Sequence, residues 1–142
     1  MTEHDFRQRG SYRVKRLYQT LRARVDEALA PLGLSMPQYG ALTVLQAEGS
    51  LSNAALARLN FVTPQTMTRI VGSLQTSELI ERDLSSAGRS SQLKLSAQGR
   101  ATMEEAHTLV TKVEQQMLSP LTSEELAGFL QSLQRSADAL MV

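Results

Sequence analysis

The segment from residue 52 to residue 76 constrains the fold of this chain more than any other. Ser52 is a good N-cap for a short helix, and Asn60 tolerates the left-handed conformation that a tight turn requires. Thr63 followed by Pro64 then starts a further helix, because Thr caps free backbone N–H groups and Pro has no N–H group to leave unbonded. The segment is therefore predicted to form two helices joined by a tight turn.

The second of these helices has two contrasting faces. Its predicted buried face consists of Met67, Ile70, Val71 and Leu74. Its opposite face consists of Gln65, Thr66, Thr68, Arg69 and Ser73. Short hydrogen-bonding side chains and one Arg stand where a merely solvated helix usually carries Glu and Lys pairs. This face is a candidate recognition surface, with an ordinary solvated face as the alternative.

Two helices are predicted before this segment. Apolar residues spaced three and four apart indicate a helix over about residues 11–30. Ser35 and Gln38 form a capping box for the next helix, which Gly49 ends.

A change of period follows the polar-faced helix. Residues 80–84 and 91–95 alternate between apolar and polar side chains, with Leu84 expected among the apolar positions. The small residues at 85–90 between them favour a turn, so the pattern predicts a β-hairpin.

Two further helices complete the chain. Ser96 caps a long helix, and a capping box of Thr122 and Glu125 starts the last one. The order of helices and hairpin is that of a winged helix-turn-helix. We predict a mostly α fold with a small β-hairpin wing, in which helices flank the winged domain. The predicted segments are 1–34, 35–99 and 100–142.

Composition removes several classes of protein. The 142 residues suffice for one domain, and the 42% hydrophobic and 20% charged fractions are typical of a globular chain. The absence of cysteine excludes disulfides, thiolate metal sites and cysteine catalysis. No apolar run approaches the roughly 20 residues of a membrane span, and the first residues lack the apolar core of a signal peptide. We expect a cytoplasmic protein without a membrane partner.

The net charge of +1 is unevenly distributed. Residues 52–100 carry six basic and three acidic side chains, whereas residues 101–142 carry two basic and six acidic ones. A basic middle favours a polyanionic partner, and a merely mixed surface is the alternative.

Several motifs in succession resemble the MarR family of winged-helix regulators. They are Gly33-Leu34-Ser35-Met36-Pro37-Gln38-Tyr39, Leu51–Leu59, Thr63–Val71 with Leu74 and Leu79–Arg82, and Leu93–Arg100. The resemblance covers about residues 10–140 and implies a homodimer that binds a pseudo-palindromic operator in double-stranded DNA and usually represses transcription. It also implies that the fourth helix enters the major groove, that the wing reaches the minor groove, and that the first and last two helices form the dimer interface.

The predicted DNA contacts follow from this placement. Gln reads adenine, Arg reads guanine, and Thr reaches phosphates or bases, while a helix N-terminus offers N–H groups to a phosphate. The predicted contacts from the fourth helix are Thr63, Gln65, Thr66, Thr68 and Arg69. Ser52, Asn53 and Arg82 are predicted phosphate contacts, with capping or an ordinary surface role as the alternative.

Arg89 is the predicted minor-groove contact of the wing, with an ordinary hairpin charge as the alternative. Members of the family commonly carry an Asp two residues before this Arg, where this chain has Ala87. We therefore expect a more mobile wing that contributes less to sequence specificity.

The resemblance further implies an effector pocket, because many members release DNA when a small anionic aromatic compound binds between the two parts. The candidates are Tyr12, Arg16, Met36 and Tyr39. Arg and Tyr can hold a carboxylate or phenolate, and Met forms an adaptable wall. Core packing of Tyr39 and an ion pair of Arg16 are the alternatives.

A dimer interface is predicted from apolar residues on the terminal helices, some of which belong to the core of the single chain. They are Leu17, Leu21, Leu118, Leu121, Leu130, Leu133, Leu140 and Met141.

No enzyme, metal site or cofactor is predicted. His107 and Glu104 form a helical pair that is more often a surface ion pair than a metal site. The sequence contains no Gly-rich phosphate loop, HExxH motif or nucleophile elbow. Two alternatives to a ligand-controlled repressor remain open, a winged-helix module that binds protein instead of DNA and a constitutive regulator without an effector.

Overall fold

The computed structural model describes residues 5–84 and 91–141. Two short 3-10 turns, Phe6–Gln8 and Ala30–Leu32, lie on either side of the first helix. The helices and strands are α1 (Gly10–Leu29), α2 (Met36–Glu48), α3 (Asn53–Leu59), α4 (Pro64–Thr76), β1 (Ile80–Asp83), β2 (Gln92–Leu95), α5 (Ala97–Leu118) and α6 (Ser123–Leu140).

The helices after α1 begin where the local capping signals place them. Ser35 and Gln38 form a capping box at α2, in which the side chain of each residue bonds the backbone of the other. Thr122 and Glu125 do the same at α6, with N–O distances of 3.0 and 3.1 Å. These interactions satisfy backbone N–H groups that the first turn of a helix leaves without partners.

The wing is a two-stranded antiparallel sheet in which Ile80 lies opposite Leu95 and Asp83 opposite Gln92. Leu51, just before α3, exchanges two backbone hydrogen bonds with Leu93 at 3.0 and 2.8 Å. These bonds attach the hairpin to the base of the winged domain. The prediction that Leu84 continues the apolar alternation is wrong, because β1 ends at Asp83 and Leu84 is 85% exposed.

One hydrophobic core extends through the winged domain and the helices beside it. Its fully buried large side chains are Val25, Leu29, Leu42, Leu45, Leu56, Met67, Leu74, Leu93 and Met103. These residues come from α1 through α5, so α1 and α5 take part in the same core as the winged domain. The predicted boundary between residues 99 and 100 falls inside α5, which is continuous there. The division of the chain into segments 1–34, 35–99 and 100–142 stays a prediction.

No helix within residues 5–84 and 91–141 is long and apolar enough to cross a membrane.

Candidate nucleic-acid interface

Side-chain hydrogen bonds define the starts of α3 and α4 and the turn between them. The Ser52 hydroxyl accepts a hydrogen bond from the Ala55 N–H group at 3.1 Å, and the Thr63 hydroxyl accepts one from the Thr66 N–H group at 3.1 Å. In the turn between the helices, the Asn60 side chain donates to the Leu56 carbonyl oxygen at 2.8 Å. The start of each helix and the end of α3 are thus fixed by side-chain hydrogen bonds to the local backbone.

The exposed face of α4 carries the predicted base-contacting residues. Met67, Val71 and Leu74 are buried, while Gln65 and Arg69 are exposed. Within the described part of the chain, neither exposed side chain has a hydrogen-bond or ion-pair partner. Both therefore have their full hydrogen-bonding capacity available for an external partner.

Thr68 and Asn53 are already engaged with each other and with α4. The Thr68 hydroxyl donates to the Pro64 carbonyl oxygen at 2.9 Å. The Asn53 amide donates to the same carbonyl at 3.2 Å and to the Thr68 hydroxyl at 3.3 Å. These bonds tie α3 to the first turn of α4, so the two residues have a structural role in addition to the predicted contact with DNA.

The remaining predicted contacts lie around α4. Thr66 is half-buried and its hydroxyl accepts from the Thr63 hydroxyl at 3.0 Å. Arg82 is exposed on β1 opposite Leu93 and has no ion-pair partner among the described residues. Arg89 and Ala87 lie outside the described residues, so the predictions for the wing rest on the sequence.

Sequence reasoning left Arg58 out of the predicted contacts. It is exposed on α3 and, like Arg69 and Arg82, forms no ion pair within residues 5–84 and 91–141. Arg58, Arg69 and Arg82 thus give the winged domain three guanidinium groups without an ion pair in the described chain, and such groups attract a polyanion. A count of basic residues without acidic neighbours in the helix-turn-helix could have identified Arg58.

The four predicted effector residues lie in three different places in the single chain. Tyr12 and Arg16 line a groove of about 960 Å³ along α1. Met36 lines another groove of about 710 Å³ between α1, the start of α2 and α4. Tyr39 contacts α5 instead. The structure of one chain therefore does not assemble the four into one pocket.

The groove beside Met36 contains two residues that sequence reasoning did not assign to a pocket, Tyr18 and Arg22. They are one helical turn apart on α1, and this i, i+4 spacing could have predicted that the two side chains lie side by side on one face of the helix. Arg69 and Thr66 form the wall on the α4 side. The groove is thus lined by one Arg from α1 and one from α4, together with apolar side chains that include Met36 and Ile70.

A carboxylate organises one end of this groove. Asp26 accepts a 2.7 Å hydrogen bond from the Met36 N–H group through Oδ1, and its Oδ2 lies 3.6 Å from Nε of Arg22. The start of α2 and the Arg22 side chain are therefore both held by one residue of α1. Within the described chain, no group of three or more potential metal ligands occurs.

His107 does not form the surface ion pair with Glu104 that the helical spacing favoured. Its ring nitrogens contact the Tyr39 hydroxyl and the Gln46 side chain, both at 2.6 Å. The partners come from α2, more distant in sequence, so the local spacing on α5 could not reveal them.

The residues of the predicted dimer interface fall into two groups. Leu17, Leu21, Leu118 and Leu121 are half-buried in the single chain. Leu130, Leu133, Leu140 and Met141 are 52%, 42%, 84% and 71% exposed. The helix that carries three of these, α6, has no buried residue. A row of exposed apolar side chains on an otherwise unburied helix is typical of a surface that another chain covers.

The comparisons with known proteins agree with this geometry. The model of the MarR family matches residues 32–90. The HTH-type transcriptional repressor Rv2887 of Mycobacterium tuberculosis is 35% identical over 125 residues, which are 87% of this chain and 90% of that protein. The chain belongs to the MarR family. The predicted fold class and the predicted function of a transcriptional regulator in this family are confirmed.

Solved structures of MarR proteins share this fold over most of the chain. The crystal structure of Rv2887 in complex with DNA matches with a TM-score of 0.74 and 31% identity, covering 89% of this chain and 96% of that one. Rv2887 in complex with salicylic acid matches with a TM-score of 0.72 and 34% identity, covering 89% and 95%. A mutant of Escherichia coli MarR in complex with operator DNA matches with a TM-score of 0.81 at 23% identity, over 89% and 91%, and this likeness supports the fold alone.

Proposed function

We propose that this MarR-family chain is a homodimeric transcriptional repressor that binds an inverted-repeat operator through α4 and leaves it when a small aromatic anion binds. The observation that carries the proposal is the exposed face of α4, whose start is fixed by Thr63. On this face Gln65 and Arg69 have no hydrogen-bond or ion-pair partner among the described residues. Gln and Arg in the major groove distinguish adenine and guanine through bidentate hydrogen bonds. The related repressor Rv2887, solved in complex with DNA, supports this use of the fold.

The remaining predicted contacts fit phosphate binding in this arrangement. Arg82, Arg58 and the wing residue Arg89 supply positive charge. The Ser52 and Thr63 caps leave the N–H groups of Asn53, Ala54 and Gln65 without an acceptor in the described chain, so these groups can bind phosphate. A repressor of this kind acts where the chromosome lies, in agreement with the cytoplasmic location expected from the sequence.

Salt dependence tests the proposal against a winged-helix module that binds protein. Binding of a labelled duplex, followed by fluorescence anisotropy between about 50 and 200 mM salt, should weaken on the order of a thousandfold if six or more phosphates are contacted. A chain that binds no duplex at the lowest salt contradicts the proposal and favours the protein-binding module.

The groove between α1, α2 and α4 is the proposed effector site. An aromatic ring fits against Met36 and Ile70, while Arg22 and the Tyr18 hydroxyl can hold a carboxylate. The complex of Rv2887 with salicylic acid supports an aromatic acid as the ligand class. Arg69 also lines the groove, so a ligand held there occupies a residue that the operator needs.

Two arginine variants distinguish this groove from the predicted pocket at Tyr12 and Arg16. Salicylate is titrated into the wild type, Arg22→Ala and Arg16→Ala, with thermal unfolding as the readout. A ligand at 100 times its dissociation constant adds about 2.7 kcal/mol of stability. We expect Arg22→Ala to lose this stabilisation and Arg16→Ala to keep it; the reverse result would place the effector in the other groove. No stabilisation of the wild type by any aromatic acid would favour a constitutive regulator.

A further inference from the structure

A half-buried imidazole joins the winged domain to the helix that leads out of it. His107 lies near the middle of α5, with Nδ1 2.6 Å from the Tyr39 hydroxyl and Nε2 2.6 Å from Oε1 of Gln46. The Tyr39 ring meets the imidazole nearly edge-on, at 5.5 Å between centroids and 78° between planes. Both ring nitrogens are therefore occupied by side chains of α2.

The partner atoms determine where the protons lie. Oε1 of Gln46 is a carbonyl oxygen that only accepts, so Nε2 of His107 must carry a hydrogen. In the neutral ring, Nδ1 then accepts a hydrogen bond from the Tyr39 hydroxyl. Burial raises the pKa of Tyr39, so the phenol keeps its proton at neutral pH and remains a donor. The three side chains form one satisfied chain of hydrogen bonds.

The spacing of the two partners strengthens the contact between α2 and α5. Tyr39 and Gln46 are related as i and i+7, which places them on one face of α2 about 10 Å apart along its axis. The two bonds leave the imidazole in different directions, so together they orient the ring against α2. They add to the core packing between the two helices, to which Leu42, Leu45 and Met103 contribute.

The helix that carries His107 connects the DNA-binding part to the opposite end of the molecule. It starts directly after β2, and its later turns lie against α1, where the Arg24 side chain donates to Gln116 at 3.0 Å. The angle between α2 and α5 therefore determines where α4 lies relative to the terminal helices. In a dimer, the same angle determines the separation of the two α4 helices.

We propose that His107 is a positioning residue that fixes the winged domain on α5 and thereby sets the half-site spacing that the dimer accepts. The effect on spacing rests on the proposed function, whereas the effect on the α2–α5 angle can be measured without DNA.

The position of the winged domain on α5 is tested by a distance measurement within one chain. Because the sequence has no cysteine, Ser77→Cys after α4 and Gln115→Cys on α5 provide two specific sites for spin labels. Doubly labelled chain is diluted into unlabelled protein, and the intrachain distance is measured by double electron–electron resonance. His107→Phe keeps a ring but removes both hydrogen bonds, and we expect the distance distribution to widen as further orientations become populated.

Matched variants keep this test decisive. Thr108→Ala alters the next residue, whose hydroxyl donates to the Glu104 carbonyl oxygen of its own helix, and should leave the distribution unchanged. Tyr39→Phe and Gln46→Ala each remove one bond and should widen it less than His107→Phe. If His107→Phe does not fold, these two single-bond variants decide. Unchanged distributions in all variants that fold would overturn the positioning role.

The consequence for DNA is tested with operator duplexes whose half-site spacing differs by one base pair. We expect the wild type to prefer one spacing. In His107→Phe, the ratio of the affinities for the preferred and the altered spacing should fall about tenfold, which is the effect of losing one to two hydrogen bonds. Affinity for a single half-site should not change. A His107→Phe spacing profile identical to that of the wild type would overturn the inference. A wild type that binds no inverted repeat contradicts the proposed function instead, and the distance measurement then decides the role of His107.

Discussion

Gly99 packs so closely against Leu79 that a Cβ atom at position 99 would lie well within 3.0 Å of the Leu79 carbonyl oxygen. The same carbonyl accepts a hydrogen bond from the Ser96 N–H group at 3.0 Å, so it cannot easily move away. The first turn of α5 is thereby held against the exit from α4. This contact fixes the base of the wing beside the proposed DNA-reading helix.

The Gly99→Ala substitution should destabilise the fold by about 3 kcal/mol, at the upper end of overpacking costs, because the obstacle is backbone. Chemical denaturation measures the change. Gly72→Ala is the control, since a Cβ atom there has no neighbour within 4 Å among the described residues and Ala favours a helix by up to about 1 kcal/mol. A Gly99→Ala protein as stable as the wild type would contradict the close packing.

Glu78→Gly should stabilise the protein. Glu78 follows the end of α4 with φ of 62°, a left-handed conformation that costs an L-residue roughly 1–2 kcal/mol and that Gly adopts freely. We expect a gain of about 1 kcal/mol in the free energy of unfolding, measured by urea denaturation. Ser77→Gly, at φ of −80°, should instead lose stability. Equal effects of the two substitutions would disprove the conformational explanation.

Arg69→Ala should weaken operator binding by about 1–3 kcal/mol and relax sequence preference at one position of each half-site. Arg69 is exposed on α4 without an ion pair in the described chain, so its removal leaves no buried group unpaired. Anisotropy titrations with the operator and single-base variants measure both effects. Arg135→Ala removes an exposed charge from α6 and should bind like the wild type. Unchanged affinity of Arg69→Ala would remove this residue from the interface.

Arg89→Ala should weaken DNA binding while the dimer stays intact, because the sequence places this residue at the wing. Operator affinity and sedimentation equilibrium are measured on the same preparation. Loss of the dimer would show that the wing has been assigned to the wrong part of the chain.

Leu133→Asp should shift the dimer toward monomers, because it puts a charge in the row of exposed apolar side chains on α6. Analytical ultracentrifugation over a range of concentrations measures the shift. Gln131→Asp introduces the same charge on the opposite side of α6 and should leave the dimer unchanged. If Gln131→Asp dissociates the dimer and Leu133→Asp does not, the interface lies on the other face.

The parts of the fold that depend on local signals were predictable from the sequence. Ser52 and Thr63 cap their helices, and Ser35 and Thr122 take part in capping boxes, because these bonds join residues only three positions apart. The alternation of apolar and polar side chains also predicted the strands of the wing, except at Leu84. There the strand ended one residue earlier than the apolar pattern suggested.

The contacts that join distant segments were not predictable. Tyr18 and Arg69 meet in one groove only because α1 packs beside the helix-turn-helix. His107 reaches Tyr39 and Gln46 across 68 and 61 residues of sequence, whereas its neighbours on α5 suggested only Glu104. Periodicity shows which face of a helix is buried but not which helix covers it. The grouping of the effector candidates therefore required the structure.

Selection of bound sequences from a random duplex pool by the purified wild-type protein tests the central claim most directly. The proposed repressor should enrich an inverted repeat whose half-sites are centred about one helical turn apart, in agreement with two copies of α4 in successive major grooves. Absence of any enriched repeat at low salt, from protein refolded to remove bound ligand, would contradict DNA recognition by this chain.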